Sequence, residues 1–168
     1  AEAIVTEPPS ATATASESAA AVSSPTATAE AEALSNEELW ALMPPGADSA
    51  DLWGAMVTAQ FFLEQYAPMF QTGETEVWEA LSADGCLYCA DALENAERVR
   101  DEGWTATGGE ITIDQDSWQG TLTADDEAAV LMTGDFSGSM LIDPEGVEIP
   151  GGEARQVEYG LRLALQKD

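Results

Sequence analysis

The pair Cys86-Leu87-Tyr88-Cys89 is the most recognisable chemical motif in the sequence, and it contains both cysteines of the chain. A structural disulfide between them requires only an oxidising compartment. A thioredoxin-like redox pair would follow a buried strand, whereas a short helix and a turn are predicted before Cys86. A zinc site would need two more ligands, and the chain has no histidine and no third cysteine. We therefore predict a structural disulfide and no metal site, with a redox-active pair and free thiols in a reducing compartment as the alternatives.

Carboxylates are the next groups that could do chemistry, because the chain has 32 aspartate and glutamate residues and no histidine. Acid–base catalysis would then depend on Asp, Glu or Tyr. The carboxylate clusters lie at 114–116, 125–127 and 143–145, and none has the glycine and terminal glutamate spacing of a calcium-binding EF-hand loop. We interpret them as solvated loops and predict no cofactor and no catalytic residue.

Aromatic side chains give the clearest indication of a ligand, because concave apolar surfaces lined by aromatic rings bind small molecules. Their alternative role is to fill the hydrophobic core. The candidate pocket residues are Trp53, Phe61, Tyr66, Trp78, Trp104 and Trp118.

The elements that must position these residues fall into helices followed by strands. Apolar residues recur at three- and four-residue spacing from Leu52 to Phe70, which predicts a long helix that Pro68 bends or ends and Gly73 closes. Alternating polarity predicts the strands that follow. The further predicted elements are helices at 75–82 and 86–102 and strands at 111–118, 128–142 and 157–165, the second strand bent at Gly134 or Gly138. This order predicts an α+β fold in which helices pack on one face of an antiparallel sheet.

Residues 1–44 differ in composition from the rest of the chain. Ala, Ser, Thr, Glu and Pro dominate the segment, which therefore has too little apolar surface to offset the entropy lost on folding. Ser35-Asn36-Glu37-Glu38, followed by Leu39, is nevertheless suited to start a short helix. We predict a disordered acidic tether over 1–44 and one globular domain over 45–168.

The net charge of −27 restricts the partners of the chain. A surface with this much negative charge repels phosphate backbones and anionic lipid headgroups. We therefore predict neither nucleic-acid binding nor direct binding to a membrane surface. No segment approaches the roughly 20 apolar residues of a membrane span. The chain begins at Ala1 and continues directly into the low-complexity tail, a pattern typical of a processed exported protein.

The acidic tail is followed by the Trp53-Gly54-Ala55…Phe61-Phe62…Tyr66 helix, then by Cys86-x-x-Cys89, Gly103-Trp104 and Gly108-Gly109. In this layout the chain resembles an uncharacterised family of actinobacterial cell-surface lipoproteins. The resemblance covers residues 40–168. The helices followed by antiparallel strands are also similar to the nuclear-transport-factor-2-like (cystatin-like) cone.

The resemblance implies a curved sheet forming a cone with an apolar pocket. It also implies a lipidated cysteine preceding residue 1, which would be the only attachment to the membrane. We accordingly expect a non-catalytic binding domain, lipid-anchored on the extracellular face of the cell membrane or secreted, that binds a small apolar ligand or a surface protein. One alternative is a cone-fold isomerase or dehydratase that uses a buried carboxylate, although such enzymes generally pair Asp with His or Tyr. The other alternative is a purely structural surface protein.

Overall fold

The computed structural model describes residues 3–6, 33–124 and 126–165. The helices are α1 (Asn36–Leu42), α2 (Leu52–Glu64), α3 (Tyr66–Thr72), α4 (Glu76–Leu81) and α5 (Leu87–Asp101). The strands are β1 (Ala3–Thr6), β2 (Thr105–Gly108), β3 (Ile111–Ala124), β4 (Glu127–Phe136), β5 (Ser139–Ile142), β6 (Glu148–Pro150) and β7 (Arg155–Ala164). The predicted α+β class, with helices preceding antiparallel strands, is confirmed.

Two segments of the predicted tether have regular structure. The Ser35 hydroxyl accepts a hydrogen bond from the Glu38 amide while the Glu38 carboxylate accepts one from the Ser35 amide, so α1 begins at a capping box. Strand β1, which the sequence did not predict, pairs with β7. Residues 1–2 and 7–32 of the predicted disordered tail lie outside the described residues.

The predicted long helix is two helices, α2 and α3, which meet at Gln65. Pro68 explains the break, because it has no amide to bond to the carbonyl of Glu64 and its ring would collide with that carbonyl in a continuous helix. Helix α2 begins where the Asp51 carboxylate accepts a hydrogen bond from the Gly54 amide. Helix α3 ends at Gly73, whose left-handed conformation (φ 77°) agrees with the prediction.

The strands form two antiparallel sheets, ordered β1-β7-β4-β3 and β2-β5-β6. The single strand predicted over 128–142 is divided between them, with β4 in the first sheet and β5 in the second. The chain changes sheets at 137–138, where Gly138 has a φ of +80°. Within the first sheet, the register between β3 and β4 shifts between Asp114 and Gln119, and a bulge of this kind bends a strand.

The core lies between the helices and one face of the four-stranded sheet. Alternate residues of β4 and β7 point into it, and α2, α4 and α5 cover them. Phe62 and Trp78 are stacked at its centre with ring centroids 4.0 Å apart, and the Trp78 indole N–H donates to the carbonyl of Cys89. This packing fixes the ends of α3 and α5 that face the site described next.

Candidate functional site

The three tyrosines of the chain line one cavity of about 180 Å³, which we call the tyrosine cavity. Tyr66 reaches it from the start of α3, Tyr88 from the first turn of α5, and Tyr159 from β7. Its remaining side walls include Ile111, Phe136, Ser139, Arg155, Val157 and Glu158. The cavity is therefore aromatic, with charged groups at its border.

The edge of β7 forms one wall of this cavity. Glu158 and Tyr159 are consecutive residues, so their side chains point to opposite faces of the sheet, yet both line the cavity. Two consecutive residues of a strand can line the same cavity when the cavity lies beside the edge of that strand. Strand β1 pairs with β7 over Gly160–Leu163, and among the described residues no strand occupies the same edge beside 155–159.

The disulfide positions Tyr88. Cys86 is the N-cap of α5 and is bonded to Cys89, so the predicted disulfide encloses the first turn of the helix. Tyr88 lies within this ring, and its ring centroid is 6.3 Å from that of Trp78. The cross-link thus holds one cavity wall in place against the core.

Arg155 and Tyr66 determine the electrostatics of the cavity. The guanidinium carbon of Arg155 lies 5.3 Å from the centroid of the Phe136 ring, a cation–π contact. Burial raises the pKa of the Tyr66 phenol above its ordinary value, and the positive charge of Arg155 offsets part of that increase. The phenol is consequently protonated at neutral pH and has a cation nearby.

A second cavity of about 310 Å³ adjoins the first, between helices α3 and α5 and the small sheet. It shares Tyr66, Ser139 and Gly152 with the tyrosine cavity, and Phe70, Trp104 and Leu141 add apolar surface. The Ser139 hydroxyl accepts a hydrogen bond from the Gly152 amide, which closes the loop between β6 and β7 against β5. Tyr66 therefore lines both cavities, and the apolar surface is more extensive in the second.

A third concavity, of about 850 Å³, is an open trough along β3, β4 and β7. Gln119, Leu131 and Gly160 are register partners along it, as are Ala129 and Arg162. These side chains alternate with the core-facing residues, so the trough lies on the sheet face opposite the helices. The trough is open to solvent along its length, so we place the candidate site at the more enclosed tyrosine cavity.

The aromatic residues predicted to line a pocket have different locations. Tyr66 lines both adjoining cavities and Trp104 lines the second, whereas Phe61 is partly buried against the core and Trp78 is within it. Trp53 and Trp118 line neither cavity; they contact each other near the start of α2, with ring centroids 5.6 Å apart.

Two cavity residues, Tyr88 and Phe136, were not among the predicted pocket residues. Tyr159 was likewise absent from that set, although the alternation of β7 had placed it on the inward face. Tyr88 is adjacent in sequence to the cysteine pair, and this proximity was the available signal. Phe136 comes from β4, and only the tertiary fold brings it to 6.3 Å from Tyr66.

The described residues contain no group of three or more Cys, Asp or Glu side chains arranged to hold a metal ion. None of the helices α1 to α5 has the length and apolar character needed to cross a bilayer.

Comparison with known proteins identifies a family but no characterised relative. No curated protein matches the sequence. No solved structure matches it. Residues 40–159, which include both cysteines and all three tyrosines, match a family described as a family of unknown function (DUF6318). Because this match extends over more than half of the chain, the protein belongs to that family.

Proposed function

We propose that this domain is a non-catalytic binding module that takes a small apolar ligand into the tyrosine cavity and the adjoining second cavity. One observation carries the proposal: the three tyrosines and Phe136 surround open volume beside a strand edge. Aromatic rings that only stabilised the fold would be expected to pack as Phe62 and Trp78 do.

The dimensions of the site support a small ligand. A cavity of about 150 Å³ with apolar walls accommodates benzene, so the tyrosine cavity, at about 180 Å³, has room for one six-membered ring. The second cavity has room for a substituent on that ring. Together they reach the lower part of the roughly 300–1,000 Å³ range of small-molecule sites.

The catalytic alternative requires a buried carboxylate that faces a cavity. The buried polar side chains in the described part of the chain are Thr58 and Thr75, and Glu158, which lines the tyrosine cavity, is exposed. The purely structural alternative would be favoured by an interior filled completely by side chains. The interior is filled around Trp78, whereas Tyr66 borders two cavities, which favours binding.

We further propose that the protein is a lipoprotein with a nuclear-transport-factor-2-like cone, lipid-anchored on the extracellular face of the cell membrane or secreted. The Cys86–Cys89 disulfide supports export, because such bonds persist in oxidising compartments. The acidic, low-complexity sequence before α1 would suit a spacer between anchor and domain.

Free-thiol titration of protein taken from the native cell fraction tests this location. Zero thiols before reduction and two after it are expected, together with recovery from the membrane or the medium. Two thiols before reduction, or recovery from the cytosolic fraction, would overturn the proposed location.

The binding proposal is tested by titrating the isotope-labelled 168-residue chain with benzyl alcohol and recording two-dimensional amide spectra. Saturable shifts are expected at Tyr66, Tyr88 and Phe136. Val157→Phe should abolish them, because it fills the tyrosine cavity from its β7 wall. Val147→Phe is the matched control, since Val147 is exposed in the turn before β6. Shifts confined to the open trough, or no saturable shift, would contradict the proposal.

A further inference from the structure

Arg155 is unusual among the basic residues of this acidic chain. The sequence has five Lys and Arg residues against 32 acids. Arg98 is paired with Glu94, and Arg100 with Asp101, each within 3.2 Å. Arg155 and Arg162 form no ion pair with any residue that the structure describes, and of these two only Arg155 lines the tyrosine cavity.

We propose that the ligand of the tyrosine cavity is an aryl carboxylate, with its ring among Tyr66, Tyr88 and Phe136 and its carboxylate bound by Arg155. This inference rests on the proposed function, because it specifies the chemical class of the ligand in the same cavity. The planar guanidinium presents several N–H donors whose spacing matches the two oxygens of a carboxylate.

The structure keeps Arg155 next to the apolar wall. Its guanidinium lies over the Phe136 ring, and Gly152 leaves space for both groups. A Cβ atom on Gly152 would lie 2.8 Å from Cε1 of Phe136 and 3.5 Å from a terminal nitrogen of Arg155. The glycine therefore allows the cation and the ring to approach each other at the cavity border.

The other polar groups at the cavity define the expected selectivity. Tyr66 has a hydroxyl group that can donate a hydrogen bond to a carboxylate oxygen. Glu158 is the carboxylate of the chain that lines the cavity, and it repels an anion. Because Glu158 is exposed and lies on the opposite face of β7 from Tyr159, we expect Arg155 to have the larger effect.

The test compares two ligands of the same shape, phenylacetate and the neutral phenylacetamide, by amide-shift titration of the whole chain. We expect phenylacetate to bind on the order of tenfold more tightly, as is typical of a charge-assisted hydrogen bond at a partly exposed site. Arg155→Gln should remove this preference, because it should weaken phenylacetate binding much more than phenylacetamide binding. Glu158→Gln should increase the preference for phenylacetate.

Arg162→Gln is the matched control, because Arg162 lies on the same strand but lines the open trough. It should leave the affinities of both ligands unchanged. Thermal unfolding followed by circular dichroism verifies that each variant is folded.

Equal binding of the two ligands to the unmodified chain would overturn the aryl carboxylate inference while leaving the proposed function intact. Binding of neither ligand would overturn both. Loss of phenylacetate binding in Arg162→Gln alone would place the anion site in the trough and overturn the inference.

Discussion

Two aromatic regions meet at Tyr66 and are packed differently. On the core side, Phe62 and Trp78 are 0% and 1% exposed, and their centroids are 4.0 Å apart. On the cavity side, Tyr66 and Phe136 are 6.3 Å apart in an edge-on arrangement. Tyr66 itself lies 6.0 Å from Trp78, so it belongs to both regions.

The small residues that surround the two regions differ in type. In the core, Ala55, Ala59 and Ala96 are buried on helices α2 and α5, among closely packed side chains. Around the second cavity, the small residues are glycines 108, 109, 151 and 152. A Cβ atom on Gly109 would contact Ser139, Phe136 and Tyr66, and one on Gly152 would collide with Phe136, so these glycines let the walls of the cavities approach one another. Alanines therefore accompany the filled core, whereas glycines shape the borders of the cavities.

The largest expected effect is on the core side. Trp78→Ala should lower the free energy of unfolding by about 3–5 kcal/mol, because it leaves a large void among buried side chains. Phe136→Ala should cost less than half as much, because its ring already borders empty volume. Urea denaturation at neutral pH measures both values. Equal losses would show that the two regions are packed alike and would remove the basis of the comparison.

The disulfide links the two regions, because Trp78 donates to the carbonyl of Cys89 and Tyr88 lines the cavity. The double variant Cys86→Ser, Cys89→Ser should lose about 2 kcal/mol of stability, the loop-closure entropy of so short a ring. Adding reductant to the unmodified chain should have a similar effect and should leave the double variant unchanged. A reductant effect on the double variant would show that the loss has another cause.

Gly152→Ala tests the cavity side at the point where Phe136 and Arg155 meet. The new methyl group must displace the Phe136 ring, which we expect to cost about 1 kcal/mol. The same change should weaken ligand binding. Gly146→Ala is the control: its φ of +85° makes alanine strained there, unlike at Gly152, and no atom lies within 4 Å of the added methyl group. Weaker ligand binding in Gly146→Ala would show that a loss of stability away from the cavity is enough to weaken binding.

Local signals predicted most of the fold. Ser35 and Gly73 were recognised as helix ends, and the inward face of β7 followed from alternation, because these features depend on neighbours in the sequence. A break in the long helix was predicted at Pro68, whereas the helices α2 and α3 meet three residues earlier, at Gln65. The division of residues 128–142 between two sheets could not be predicted, because it depends on which strand pairs with each half.

The candidate site was less predictable than the fold. Composition identified aromatic residues as the relevant type but could not separate Tyr66, which lines the cavities, from Trp78, which fills the core. Both lie on helical faces that point inward. Their different roles depend on the glycines opposite Tyr66 and on Phe136, which come from distant parts of the sequence.

The smallest expected effect concerns the pH dependence that Tyr66 contributes from its position between the two regions. Burial raises the pKa of the folded phenol above the ordinary value of 10.0. The stability from this group is therefore fully present below pH 10.0 and is lost as the pH rises through the raised pKa. Tyr66→Phe should reduce this loss of stability in alkaline urea titrations.

Arg155→Gln should raise the pKa of Tyr66 further, because it removes the positive charge that now favours the phenolate. Absorbance titration of the tyrosines measures that increase against Arg162→Gln as a control. An unchanged pKa of Tyr66 in Arg155→Gln would show that the charge of Arg155 does not act on the phenol in the cavity. The proposed difference between an uncharged core and a cavity bordered by a cation would then be wrong.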